Sequence, residues 1–322
     1  MKKVYAVAPF IREGIINFKY PPYEAWKRMG GAVAQSHYPK IKPVIGWFHN
    51  HEVPELCKSQ EEARLRFIEP INRKFDAFPD YAFYEIIPMI WDCWPCLDDR
   101  LSQWLGKHDV KTAIFTSRQN AHRIQQRFPK MNIFVITEGV DTSAYHAGKP
   151  LAERQIDILE YGRSNELVVN DDSFEGTRHV RTSSLKPRIS DSQLFELLSD
   201  SKITIALTKL DTDPKLAGGV DTLTQRYWEN MLSRVVMIGR APNELIELIG
   251  YNPCINVKEG ECYKDVIQNV LRNIADYQQL VDRNRESALR LGDWNIRMKL
   301  VMEWLESVGY SCRPRTSTTG II

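Results

Sequence analysis

Residues 218–231 read Gly-Gly-Val-Asp-Thr-Leu-Thr-Gln-Arg-Tyr-Trp-Glu-Asn-Met, and they gather the groups best suited to chemistry. Asp221 and Glu229 stand eight positions apart, two glycines precede them, and Val235-Val236-Met237-Ile238-Gly239 follows. The pattern predicts a loop, a helix and a buried strand. Eight residues is slightly more than two helical turns, so acids at that spacing share a face. Backbone N–H groups at a helix start attract phosphate. An acid deeper along the helix accepts hydrogen bonds from ribose hydroxyls. Together these parts describe a nucleotide-sugar site. The same spacing also fits an ordinary amphipathic helix carrying two solvated acids.

A second cluster lies in Pro88-Met89-Ile90-Trp91-Asp92-Cys93-Trp94-Pro95-Cys96. It places Asp92 beside Trp91 and Trp94, just past a predicted strand. Aromatic faces stack on sugars, and the acid would hydrogen-bond or deprotonate an acceptor hydroxyl. The alternative is a capped turn over buried tryptophans. Cys93 and Cys96, with His49 and His51, offer a donor set for zinc. A His-x-His pair alternates faces on a strand, however, and there is a single Cys pair, so these cysteines are expected to pack under the loop without metal. Asp171 and Asp172 are adjacent in a polar stretch and read as solvated loop.

The 218–239 stretch resembles the donor-site signature of GT-B glycosyltransferases, especially the group 1 family. That family carries an acid, seven residues, a second acid, a small-residue turn and a hydrophobic strand. Asp221 stands where the family usually has Glu, and Glu229 matches its second Glu. Phe134 to Asp141 resembles the strand and Asn-Gly-Val-Asp turn that ends the first domain of these enzymes, with Glu138 replacing Asn. Ile156 to Arg163 resembles the first strand of the second domain, which ends in Gly-Arg. The Lys that the family often places some five residues later is absent from Ser164 to Val169. The resemblance covers roughly residues 134–305.

The resemblance implies an α/β chain of the GT-B fold: two Rossmann-like domains facing across a cleft, with a C-terminal helix crossing back. The expected division is 1–150 for the acceptor domain, 151–290 for the donor domain, 291–310 for the returning helix and 311–322 for a tail. The implied reaction moves a sugar from a nucleotide-sugar donor to a hydroxyl of a saccharide or glycolipid, in surface polysaccharide synthesis. Retention of configuration follows from the acid pair. Asp92 and Asp221 are the expected catalytic residues. Arg163, Lys209, Gly219, Thr222, Thr224 and Glu229 are expected to bind donor, Glu229 at the ribose. Lys209, at the next strand end, would replace the absent Lys, and Arg226 is a further cation. No metal and no cofactor beyond the nucleotide sugar are expected. The loop at Asn243 and Glu244 reads as a helix start. Partners are nucleotide sugar and a saccharide or lipid-linked acceptor. A nucleotide-sugar epimerase or hydrolase of the same fold, or a non-catalytic binding protein, stays open.

Composition suits this reading. The 322 residues are enough for two domains, and 43% are hydrophobic, enough for a sizeable core. A net charge of +2 does not describe a nucleic-acid surface. Six cysteines without a framework point to a reducing cytosol, where peripheral association with the inner membrane face is allowed. No stretch approaches the roughly 18 apolar residues of a membrane span. Strands at 4–10, 44–48, 84–90, 111–116 and 133–137 alternate with helices, as do those at 156–161, 202–207, 235–238 and 254–257. Alternation of that kind predicts parallel sheets. Glu55 to Phe75 reads as a charged helix, and Pro88 suggests an edge strand.

Overall fold

The computed structural model describes residues 1–9, 18–35, 58–69, 77–162, 176–187 and 189–313. The expected strand at 44–48, His49, His51, Arg163, Asp171, Asp172 and the tail beyond Arg313 lie outside them. The chain forms two compact units. One holds the described residues up to Thr137 and those from Asn295 onward, and the other holds Glu138–Trp294.

The first unit runs β1 (Lys2–Val7), α1 (Tyr20–Arg28), β2 (Val33–Ala34), β3 (Glu62–Ile68), β4 (Glu85–Ile90), α2 (Asp98–Lys107), β5 (Thr112–Phe115), α3 (Arg118–Arg127) and β6 (Asn132–Val135). The second runs β7 (Ile156–Glu160), β8 (His179–Arg181), α4 (Asp191–Ser199), β9 (Ser201–Ala206), α5 (Lys209–Thr212), α6 (Pro214–Ala217), α7 (Gln225–Leu232), β10 (Val236–Gly239), α8 (Asn243–Ile249), β11 (Cys254–Asn256), α9 (Tyr263–Arg272) and α10 (Gln278–Leu291). The chain then returns to the first unit through α11 (Trp294–Ser307) and β12 (Tyr310–Ser311). No helix among the described residues is long and apolar enough to cross a membrane.

The first sheet has the order β12-β1-β3-β4-β5-β6, with β2 also beside β1. The second has the order β11-β10-β9-β7-β8. All pairings are parallel. Parallel strands need helical crossovers, so each sheet is covered on both faces and its strands read as apolar runs. In the second unit one face packs Leu159, Leu223, Trp228, Met231 and Met237. The other packs Ile158, Ile203, Val236, Ile238 and Ile267. Phe134 of β6 stacks on Trp304 of α11 with centroids 5.0 Å apart, which seats the returning helix in the first unit.

The charged stretch expected as a helix over 55–75 contains β3, a central strand. Glu, Ala, Arg and Leu favour helix in isolation, but the strand alternates. Ala63, Leu65 and Phe67 fill one face, with at most 5% exposure. Arg64 and Arg66 occupy the other face and are equally buried. Arg64 lies 3.5 Å over the Tyr84 ring and 2.8 Å from Glu62. Arg66 pairs with Asp80 at 2.8 Å. Tertiary partners therefore make a strand of a helix-prone sequence.

Pro88 is likewise not at an edge, because β4 lies between β3 and β5. Pairing with β5 aligns Met89 with Ile114 and Ile90 with Phe115. Pro88 precedes that paired stretch, so its missing N–H removes nothing from it. The units meet at Thr137/Glu138 rather than near residue 150. The Trp228 indole donates to the Glu138 carbonyl at 2.7 Å, and Val140 N–H donates to the Gly292 carbonyl at 2.9 Å. These bonds draw the segment after Thr137 into the second unit.

Removing one member of a buried ion pair leaves an uncompensated charge, at a cost on the order of 3 kcal/mol. Asp80→Ala is therefore expected to lower unfolding stability by about that amount in urea titration. A loss under about 0.5 kcal/mol, the usual effect of surface changes, would show that the pair holds nothing.

Candidate functional site

Open parallel sheets collect ligands outside the carboxyl ends of their strands. In the second unit β7, β9 and β10 end at Glu160, Ala206 and Gly239, so the residues just beyond them form the candidate site. After β7 come Tyr161 and Gly162, the latter at φ 75°. A Cβ on Gly162 would fall 2.4 Å from Nη2 of Arg226, so glycine is what lets that guanidinium lie against the backbone. Arg226 also covers the Tyr161 ring, 5.6 Å from its centroid. It forms no ion pair among the described residues and is half-buried.

After β9, Lys209 opens α5 and pairs with Asp213 at 2.8 Å, one turn along. After β10, Arg240 binds Asp221 at 2.8 Å, Asp211 at 2.9 Å and the Thr208 hydroxyl at 2.6 Å. Asp221 is thus a buried partner of Arg240. It lies on the extended segment before α7, whose N-cap is Thr224, so it does not share a helix face with Glu229 as its spacing suggested. Gly218, at φ 56°, ends α6, and the two glycines turn the chain out of helix before Asp221. Gly219 faces open space, with nothing within 4 Å of a built Cβ.

The remaining expected donors are engaged or local. The Thr222 hydroxyl donates to Glu244 at 3.4 Å, and Leu223 N–H donates to the same carboxylate oxygen at 3.1 Å. Glu244 is in the first turn of α8, where the sequence placed a helix start. Thr224 makes no side-chain capping bond. Instead Glu138 takes the helix end: its carboxylate accepts from Gln225 N–H at 3.0 Å. The anion position expected for phosphate therefore holds a carboxylate of the chain itself.

Glu229 points into the second unit's interior and is 4% exposed. The Tyr145 hydroxyl donates to its Oε1 at 3.2 Å, and the Tyr161 hydroxyl lies 3.0 Å from its Oε2. Tyr161 is also 3.0 Å from Asn230 Oδ1, so its one proton is shared among acceptors. Burial raises the Glu229 carboxyl above its ordinary value, and the tyrosine bonds and Arg226 offset part of that rise. Sequence reasoning missed Tyr145, Tyr161 and Arg240. Arg240 had a visible signal, a cation directly after a strand-ending glycine. Tyr145 had none.

In the first unit Asp92 follows β4 with φ 45°, a left-handed conformation that Asp tolerates better than most residues. Trp91 and Trp94 are each 1% exposed, so neither presents a face for sugar stacking. Trp91 packs against Phe67 and Phe18 instead. Trp94 Nε1 is buried with no acceptor among the described residues. Cys93 lies 3.9 Å from Asp98, and burial first, then Asp98, pushes its thiol up to about 12. Such a thiol is no thiolate nucleophile near neutral pH. Among the described residues no group of three or more His, Cys, Asp or Glu is placed to hold a metal ion.

No family model matches the sequence, and no curated protein matches it. Solved structures do resemble it. HepE from Anabaena, in complex with UDP and glucose, aligns with a TM-score of 0.54 at 10% identity over 95% of this chain and all 100% of its own. A mutant of T4 phage BGT in complex with UDP-glucose gives 0.54 at 12% over 96% and 100%. AviGT4, a glycosyltransferase involved in avilamycin A biosynthesis, gives 0.52 at 12% over 96% and 98%. At such identities the likeness establishes the fold: two parallel α/β units of the GT-B type.

The raised Glu229 carboxyl sets a direction for stability against pH. The folded state holds this proton more tightly than the unfolded chain, so stability from this group falls as pH rises upward from the ordinary value of 4.5. Glu229→Gln removes the titration. The variant's stability relative to the parent is expected to improve as pH rises through that window, in urea unfolding at several pH values. A constant difference would mean that the buried carboxylate carries no such cost.

Proposed function

We propose that the protein transfers a glycosyl group from a nucleotide-sugar donor to a hydroxyl of a saccharide or lipid-linked acceptor. The observation that carries this reading is Arg226, a guanidinium that forms no ion pair among the described residues, at the carboxyl end of β7, seated where Gly162 has no Cβ. HepE and T4 phage BGT, which share the fold, were solved with UDP and glucose and with UDP-glucose. UDP-glucose is therefore the first donor to try. The reading places donor diphosphate against Arg226, with Lys209 as a further cation and Arg163, outside the described residues, as another. The open backbone at Gly219 lines the approach. Cationic side chains would offset the leaving charge without metal, and no other cofactor is required. Thr224 remains a candidate hydroxyl donor. Glu229 and Asp221 are read as residues that hold the site from within. A role in surface polysaccharide synthesis and retention of configuration rest on the sequence resemblance, and a cytoplasmic setting rests on the cysteine content. The anomer formed, read by NMR, decides the last.

A second reading is a binding protein that does not transfer sugar. The Asp221–Arg240 ion pair favours it, because it occupies the first acid of the signature. Incubation with a panel of nucleotide sugars, with and without saccharide acceptor, separates the readings. Transfer needs both substrates, epimerisation or hydrolysis needs donor alone, and a binding protein turns over neither.

Two substitutions test the assignments. Arg226→Ala is expected to weaken nucleoside diphosphate binding about tenfold or more, the usual effect of losing a charged hydrogen bond. Affinity for the bare nucleoside should hardly change. Equal calorimetric losses for both ligands would make Arg226 structural. Asp92, at a strand end of the first unit, is assigned to acceptor. Asp92→Asn should cut transfer about 100-fold while donor binding holds. Full activity in that variant would reduce Asp92 to a turn residue.

A further inference from the structure

Arg240 stands just past the end of β10, and its backbone is fixed on both sides. Its N–H donates to the Ala206 carbonyl, at the end of β9, at 2.9 Å. A Cβ on the preceding Gly239, at φ 139°, would fall 2.1 Å from that same carbonyl oxygen, so glycine is what lets the two strand ends lie this close. The Tyr227 hydroxyl, on α7, donates to the Arg240 carbonyl at 2.6 Å. The guanidinium therefore starts from a fixed point.

From there its fork reaches two separate segments. Toward the first, Nη2 donates to the Thr208 hydroxyl at 2.6 Å and Nε to Asp211 Oδ1 at 2.9 Å. Asp211 Oδ2 in turn accepts from the Thr208 N–H at 2.8 Å and from its hydroxyl at 2.9 Å. These bonds close the start of α5, whose first residue is Lys209. Toward the second, Nη1 donates to Asp221 Oδ2 at 2.8 Å. Helix α5 has four residues, far below the roughly 12 that hold a helix by themselves in water. The stretch from Val220 to Thr224 belongs to no helix or strand. Each segment depends on side-chain bonds for its place, and one guanidinium supplies bonds to both.

We infer that Arg240 is a positioning residue of the donor site: its fork sets Lys209 and the segment from Gly218 to Thr224 in one fixed arrangement. The inference rests on the donor reading above, in which Lys209 serves the diphosphate and Gly219 lines its approach. Lys209 pairs with Asp213 within the same short segment, so its position follows that of α5. Asp221 is then the anchor of its own segment. A planar fork spans Thr208, Asp211 and Asp221 at once, which the single ammonium of a lysine does not.

A double-mutant cycle on the full chain tests this, read by calorimetry with whichever of UDP, GDP and ADP binds the parent. Lys209→Ala and Arg240→Gln should each weaken binding about tenfold. If Arg240 acts through Lys209, the double variant should also lose about tenfold, not the roughly hundredfold of independent sites. Arg240→Lys should bind no better than Arg240→Gln, because it keeps the charge and loses the fork. Arg240→Gln leaves Asp221 without the Arg240 charge. Adding Asp221→Asn removes that burden and should restore the melting temperature but not the affinity. Recovery of both would mean that Arg240 only stabilises the fold, and would overturn the inference. Additive losses in the cycle, or unchanged binding in Arg240→Gln, would overturn it too. A parent that binds none of the three nucleotides sinks the donor reading and this inference together. Parental binding that Lys209→Ala leaves unchanged sinks the inference and leaves the Arg226 assignment standing.

Discussion

The second unit depends on how Glu138 holds the start of α7. Its carboxylate takes the Gln225 N–H, and its carbonyl takes the Trp228 indole N–H. One residue thus fixes both the end of the helix and the ring that packs beneath it. Gly292 must lack a side chain for the same reason, since a Cβ there would meet the Trp228 ring at 3.1 Å. With α7 fixed, Glu229 reaches Tyr145 and Tyr161, and Arg226 reaches Gly162. The segment after Thr137, the end of β7 and α7 therefore form one connected network.

That network sorts the charges of the candidate site. Asp221 answers Arg240, Glu138 answers the positive end of α7, and Glu229 is desolvated among hydroxyls. Lys209 is answered locally by Asp213. Among the described residues Arg226 forms no ion pair, though its charge acts on Glu229. On the proposed reading, that guanidinium is where the donor's negative charge would lie. The two acids of the signature are both engaged within the unit, Asp221 by Arg240 and Glu229 by Tyr145 and Tyr161.

The sheets were legible because parallel strands are apolar on both faces, and runs such as Val235 to Gly239 can hardly be anything else. The acid-x7-acid spacing located the right segment but assigned the wrong geometry. Spacing along a chain does not reveal where a helix starts, and α7 starts only at Gln225. The β3 strand was hidden because one of its two buried faces is made of Arg64 and Arg66, whose partners Tyr84 and Asp80 are distant in the chain. Hydrophobic periodicity cannot register a side chain that is buried by pairing rather than by being apolar. Glu138 was visible only as a departure from a signature. Its function follows from which N–H it meets, which no local pattern encodes.

The two ends of α7 show how far helix electrostatics can account for the charges around it. A carboxylate at the N-terminus and a cation at the C-terminus each contribute about 0.3–1 kcal/mol through the macrodipole. Glu138 supplies the first, and Arg285, on the Leu232 carbonyl, supplies the second. One cation satisfies that end. Arg234 adds a second guanidinium at the price of a left-handed backbone, and Arg154 adds a third that is almost fully buried. Arg234 is held instead by Asp282, and Arg154 by the carbonyls of Lys149, Ser201 and Ala147, so neither adds to the capping of that end.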